Sequence, residues 1–341
     1  FGGVLKYRLY MAVYLFHMPL FVFVSGYFSK FGLKNTLFKK VYPYIVFQIL
    51  YCLAAGERVQ LSAPYWLMWY LFSLIVWSLF LPLFRRFPAV SFALCVPLCL
   101  AAGFLPVCYT LSLSHVLCFA VFFVLGVWTA QHKERFLLFL KTKKVRLTAL
   151  FCVVLALVLT KLMLPFIKQT NWLYYAMPYA ENGCTPLWRL GFLCIAFLWI
   201  FSLLTLVPDK TVACITNIGK YSLCVYLLHG FVQFWLEKAA IFRFSDELNL
   251  LLALALSSLA VLLFANKAVF LILKPFTDLG LFLPFKEKNG VQKLCAEWTA
   301  GCAIALFFSY VLFMAYRAPI FETLAITALT FLYHFAMRLA V

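Results

Sequence analysis

LLALALSSLAVLLF, residues 251–264, decides the fold class. A strand that crosses a membrane in a barrel alternates apolar and polar residues over roughly ten positions. This run does not alternate. Apolar side chains follow one another without regard to face, interrupted only by two serines. Such a segment satisfies its backbone hydrogen bonds internally, as an α-helix in lipid must.

The rest of the chain reads the same way. Hydrophobic residues make up 66% of the 341 and charged residues 12%, about half the share of an ordinary soluble domain. Mean hydropathy is +0.99. Apolar runs bounded by charge, proline or glycine fall at 9–28, 41–56, 65–84, 88–104, 115–130, 147–167, 187–207, 215–236, 248–273, 294–315 and 319–341. With about 20 residues needed per crossing, the expected fold is all-α, a polytopic bundle of about eleven transmembrane helices. One membrane domain is expected over 1–280, followed by two additional helices over 281–341.

Lysine and arginine set the topology, because cytoplasmic connections carry them in excess. One alternate set of connections collects the basic residues at 30–40, 85–86, 133–146, 210–220 and 274–293, and the other has only scattered ones. This places the visible N-terminus outside and the C-terminus inside. The chain opens on Phe1, and FGGVLKYR has neither the apolar core nor the cleavage site of a signal peptide. The start therefore reads as truncated, with one preceding helix needed to return the N-terminus to the cytoplasm.

A net charge of +18 is explained by those short loops. They lack the size and motifs of a nucleic-acid recognition module, so no nucleic-acid partner is expected. Membrane lipids are expected partners, and anionic headgroups or an anionic cosubstrate suit the basic stretch from Lys133 to Arg146. Most of the twelve cysteines sit in apolar runs, where they act as small hydrophobes. No CxxC occurs, and Cys95 and Cys99 have no neighbouring histidine or carboxylate, so no metal site is expected. Cys108 and Cys184 both fall in outward connections, which leaves a disulfide open.

Two histidines stand at membrane depth, His17 in FHMPLFVFVSGYF and His229 in GKYSLCVYLLHGF. An ionisable group there faces the bundle interior or a wet cavity and marks a functional site. The competing role is an interhelical hydrogen bond. His115, His132 and His334 lie near helix ends and read as structural. There is no GxSxG, HExxH, Walker A or GxGxxG pattern, which removes the common soluble chemistries.

The strings YLFHMPLFVFVSGYFSKF, FKKVYPYIVFQ, PYWLMWYLFSLIVW, FFVLGVW and IGKYSLCVYLLHG resemble, in order and spacing, the membrane acyltransferase 3 family, and in particular its fucose 4-O-acetylase-like branch. The likeness runs from about residue 9 to residue 273. It implies an enzyme of the bacterial cytoplasmic membrane that moves an acyl group, commonly acetyl from acetyl-CoA, onto a sugar hydroxyl of a cell-surface glycan or lipid-linked precursor. That is transfer of a group other than an amino-acyl group. His17 and His229 would be catalytic, as general base or transient acyl carrier. Lys39 and Lys40, with Arg85 and Arg86 behind them, would hold the phosphates of the CoA. In the outward loop KQTNWLYYAMPYAENGCTPLWR, Trp172, Glu181 and Asn182 are candidate sugar contacts. The family's principal histidine stands in a first helix that this chain lacks, so His17 matches its second-helix HMPLF string. The alternatives are a glycan or glycolipid transporter, or a non-catalytic membrane scaffold.

Overall fold

The structure, a computed structural model, describes residues 4–106, 110–207, 211–239 and 241–279. The expected helices at 294–315 and 319–341, and so the domain at 281–341, lie outside the described residues. Among the described residues every regular element is helical. Among the described residues six segments are long and apolar enough to cross a membrane, fewer than the nine runs expected there, because several runs are broken or short.

The first break matters most. Instead of one helix over 9–28, the chain forms α1 (Val4–Tyr14) and α2 (His17–Tyr27), together one apolar span. Pro19 has no N–H for the carbonyl of Leu15, and its ring collides with that carbonyl in a continuous helix. The same rule acts at Pro43. The short α3 (Leu33–Thr36) passes through a π turn at Leu37–Val41 into α4 (Tyr42–Ala55), because the carbonyl of Lys39 loses its partner. Gly56, at φ 74°, closes α4 in the left-handed conformation that glycine adopts freely.

Next come α5 (Met68–Leu79), α6 (Leu81–Arg86) and α7 (Pro88–Ala101), then the long α8 (Leu113–Gln131). The amphipathic α9 (Lys133–Lys141) leads into α10 (Lys143–Met163). Two single turns, α11 (Asn171–Tyr174) and α12 (Tyr179–Asn182), build the loop before α13 (Pro186–Leu206). Thr185 caps α13 through the Trp188 amide and proline takes its first position, as helix starts prefer. After α14 (Ala213–Lys220) and α15 (Ser222–Lys238), the run expected at 248–273 divides into α16 (Asp246–Phe264) and α17 (Lys267–Thr277). Asn266 is the reason: its Oδ1 accepts from the Val269 amide at 3.0 Å and starts the second helix.

At the centre stands α8. Its span is 72% buried, against 6% for α16 at the periphery. A helix apolar on all sides belongs in the core of a membrane bundle. Against it lies α2, at backbone contact. A Cβ built on Gly26 would fall 2.1 Å from the carbonyl oxygen of Phe123, and one on Gly126 would fall 2.1 Å from that of Phe23. Small residues that let helix backbones touch are a main source of association in lipid, where burial of apolar surface gives little.

At one end of this pair the Arg85 guanidinium donates to the Ser29 carbonyl at 2.7 Å and the Gln131 amide to the Arg85 carbonyl at 2.7 Å. The basic connections thus share an end, as the charge pattern predicts. At the other end, Ser114 Oγ donates to the Tyr175 carbonyl and Tyr179 OH to that of Leu100.

Gly126→Ala should therefore lower stability by roughly 2–3 kcal/mol, seen as a lower melting temperature in detergent. Gly219→Ala is the control, since open space surrounds that position, and it should leave the melting temperature unchanged or slightly raised.

Candidate active site

The break ahead of Pro19 places His17 on the first turn of α2, against the end of α1. Its Nδ1–H donates to the carbonyl of Val13 at 3.1 Å, and its ring meets Tyr14 edge-on at 4.4 Å. His229 stands in the middle of α15, where Nδ1–H donates to the carbonyl of Tyr226 at 2.8 Å and reaches that of Val225 at 3.1 Å. A carbonyl only accepts. Both rings therefore carry their proton on Nδ1 and present Nε2 as the basic nitrogen. The two are within electrostatic reach of one another. His17 is half-buried and His229 exposed.

Glycine again sets the approach of the second helix. A Cβ on Gly230 would fall 2.5 Å from the Tyr51 hydroxyl and 2.6 Å from Leu67. Tyr51 OH donates to the Leu227 carbonyl at 2.9 Å, and its ring stacks on Phe231 at 4.2 Å. These contacts lock α15 to α4 on both sides of His229.

A file of polar groups leads from the histidines toward the basic end. Tyr226, one turn before His229, packs its ring on Tyr70 at 5.3 Å and donates to the Leu67 carbonyl at 2.7 Å. Tyr70 shares a hydrogen bond of 2.5 Å with Ser25, two turns after His17 on α2. Further along α5, Ser78 accepts from the ammonium of Lys40 and donates to the Leu74 carbonyl at 2.5 Å. The π turn aims Lys40 inward and leaves Lys39 exposed. Arg85 and Arg86 are exposed at the same end, Arg86 over the ring of Phe87 at 5.8 Å.

On the opposite side Tyr14 also meets Tyr174 of the loop before α13, edge-on at 4.6 Å. Within that loop Trp172 is only 3% exposed, and its Nε1–H donates to the Asn182 carbonyl at 2.8 Å. The Asn182 side chain accepts from the Cys184 amide at 2.8 Å and donates to the Met177 carbonyl at 3.3 Å. The polar groups of both are thus spent on the loop itself, while Glu181 is exposed. Burial pushes the Cys184 thiol and the Tyr179 phenol up, so both stay protonated near neutral pH. Cys184 is a free thiol, and Cys108 lies outside the described residues.

Sequence reasoning did not single out Tyr14, Tyr70 or Tyr226, because tyrosine in an apolar aromatic run reads as an interfacial belt. A usable signal was the spacing of Tyr226 three residues before His229, one helical turn. Arg189 was also missed. It is 1% exposed, donates to the Cys99 carbonyl at 3.0 Å, and lies over the rings of Tyr179 at 4.5 Å and Tyr175 at 5.3 Å. Ring faces and a carbonyl meet its charge. His115 is buried and stacked on Trp69 at 4.6 Å. No cluster of metal-ligating side chains occurs among the described residues.

Two imidazoles that each bond a backbone carbonyl through Nδ1 thus stand in an apolar helical bundle with basic side chains at one end. The chain belongs to the acyltransferase 3 family: the family's acyltransferase domain matches residues 1–314. That match runs past the stretch over which the sequence motifs are recognisable. No curated protein and no solved structure gives a significant match.

The Ser25–Tyr70 bond offers a test of the file's construction. In a double-mutant cycle of Ser25→Ala and Tyr70→Phe, melting free energies should show a coupling of roughly 0.5–1.5 kcal/mol. Additive single effects would mean the two hydroxyls do not bond.

Proposed function

We propose that this membrane acyltransferase is an O-acetyltransferase of the bacterial cytoplasmic membrane, acting in the manner of the fucose 4-O-acetylase-like branch of its family. Acetyl-CoA donates at the cytoplasmic, basic end, and a sugar hydroxyl of a glycan or lipid-linked precursor accepts. The observation that carries this reading is that Nδ1 of both His17 and His229 bonds a backbone carbonyl, which leaves Nε2 as the base on each ring.

The thioester is the electrophile. Lys39 and Lys40, with Arg85 and Arg86, bind the phosphates of the CoA as charge-assisted donors, and the pantetheine arm follows the file past Ser78, Tyr70 and Ser25. Nε2 of one histidine accepts the proton of the sugar hydroxyl as its oxygen attacks the acetyl carbonyl. The C–S bond breaks, the ester C–O bond forms, and the proton leaves with the CoA thiol. The second imidazole orients the hydroxyl. In the outward loop, Glu181 contacts the sugar, whereas Trp172 and Asn182 shape the loop.

Asparagine places its amide nitrogen where Nδ1 stands and has no atom at Nε2. His17→Asn should therefore keep the bond to the Val13 carbonyl and the melting temperature, yet lower acetyl transfer by roughly a hundred- to ten-thousand-fold. His17→Gln should lose the bond and some stability. Wild-type transfer in His17→Asn would make the bond to Val13, and not the base, the role of this histidine.

A further inference from the structure

A cavity of about 270 Å³ opens between α2, α9, α10 and α13, on the side of α2 away from Tyr70. We propose that it binds an anionic phospholipid, with the phosphate between Lys141 and Arg146 and the acyl chains along Phe23, Phe136, Leu140 and Leu204. The proposal does not depend on which acyl group or acceptor the enzyme uses.

The chemistry of the lining favours an amphiphile. Its charged side chains are the two cations, which stand on either side of the α9–α10 junction. Thr205 also lines it, but its hydroxyl donates to the Phe201 carbonyl at 2.7 Å. The remainder is apolar or aromatic. A negatively charged head at one mouth and hydrocarbon over the rest match this distribution, whereas the adenine of a nucleotide would need polar partners for its base edge.

The neighbouring surfaces place the cavity where lipids are. Next to its lining residues, α9 turns Leu138 and Phe139 outward, at 70% and 51% exposure. That is the pattern of a helix lying in the interface, its apolar side in the acyl boundary and its cations near the headgroups. On α10, Leu147, Leu150, Phe151 and Val154 are likewise exposed, forming an apolar flank suited to hydrocarbon. A chain seated in the cavity continues onto that flank.

The lipid would also touch the catalytic helix. Ser25 of α2 faces Tyr70, while Val24, Tyr27 and Phe28 line the cavity. Occupation braces the last turn of α2 against α9 and α13, opposite its contact with α8.

Native mass spectrometry of protein released from phosphatidylcholine nanodiscs containing a minor fraction of phosphatidylglycerol tests this. Wild type should retain phosphatidylglycerol in preference to phosphatidylcholine. Lys141→Gln/Arg146→Gln should lower that retention by about tenfold or more. Lys133→Gln/Arg135→Gln removes the same charge from exposed positions outside the cavity and should retain the lipid as wild type does. Equal loss in both double variants would reduce the effect to general surface charge, and equal retention in all three proteins would overturn the site. Release of the bound lipid by coenzyme A at similar concentration, while inorganic phosphate releases none, would reassign the cavity to the acyl donor and also overturn the proposal.

Discussion

Backbone contact between α2 and α8 at Gly26 and Gly126 is the constraint on which the site depends. In lipid there is little hydrophobic gain from bringing two apolar helices together, so close packing and interhelical hydrogen bonds must hold them. Glycine makes that packing available because each helix can set a carbonyl where the other would otherwise carry a Cβ. With α8 buried on all sides at the centre, α2 has one permitted depth against it. The break at Pro19 then fixes where the first turn of α2 begins, and His17 stands on that turn. A register change of one residue in α2 would bring a larger side chain into the contact and rotate His17 away from α15.

Much of this was legible in the sequence because the strings that carry the family resemblance are the structural contacts. SGYF and FFVLGVW hold the two glycines that meet, and YLLHG holds His229 beside the glycine that admits Tyr51. His17 and His229 were legible because an ionisable ring at membrane depth has few bland explanations. Continuity of the helices was not. Pro19 and Asn266 each end a run that hydropathy alone reads as unbroken, since hydropathy does not register a missing N–H or a capping amide. The tyrosines of the polar file were hidden for a different reason: Tyr70 and Tyr226 read as interfacial aromatics until Ser25 and the Leu67 carbonyl are brought beside their hydroxyls. Likewise the burial of Trp172 and Asn182 depends on how their loop folds back, which composition does not encode.

The polar file has a physical cost that bears on its purpose. Hydroxyls and an ammonium inside a bundle are expensive unless each finds a partner. Here Lys40 is partnered with Ser78 and Ser25 with Tyr70, while the buried Ser73 hydroxyl between them on α5 has no hydrogen-bond partner, and the Nδ1 protons of the two imidazoles are already committed. The Nε2 atoms are the nitrogens left for proton transfer in the proposed reaction.

Transfer of isotope from acetyl-labelled acetyl-CoA by the purified, reconstituted protein is the most direct measurement. Acyl transfer through the histidine pair predicts that label appears as a sugar ester in step with the release of free CoA thiol. Label remaining wholly on the donor while an unmodified glycan crosses the membrane would contradict it and make the polar file a transport path.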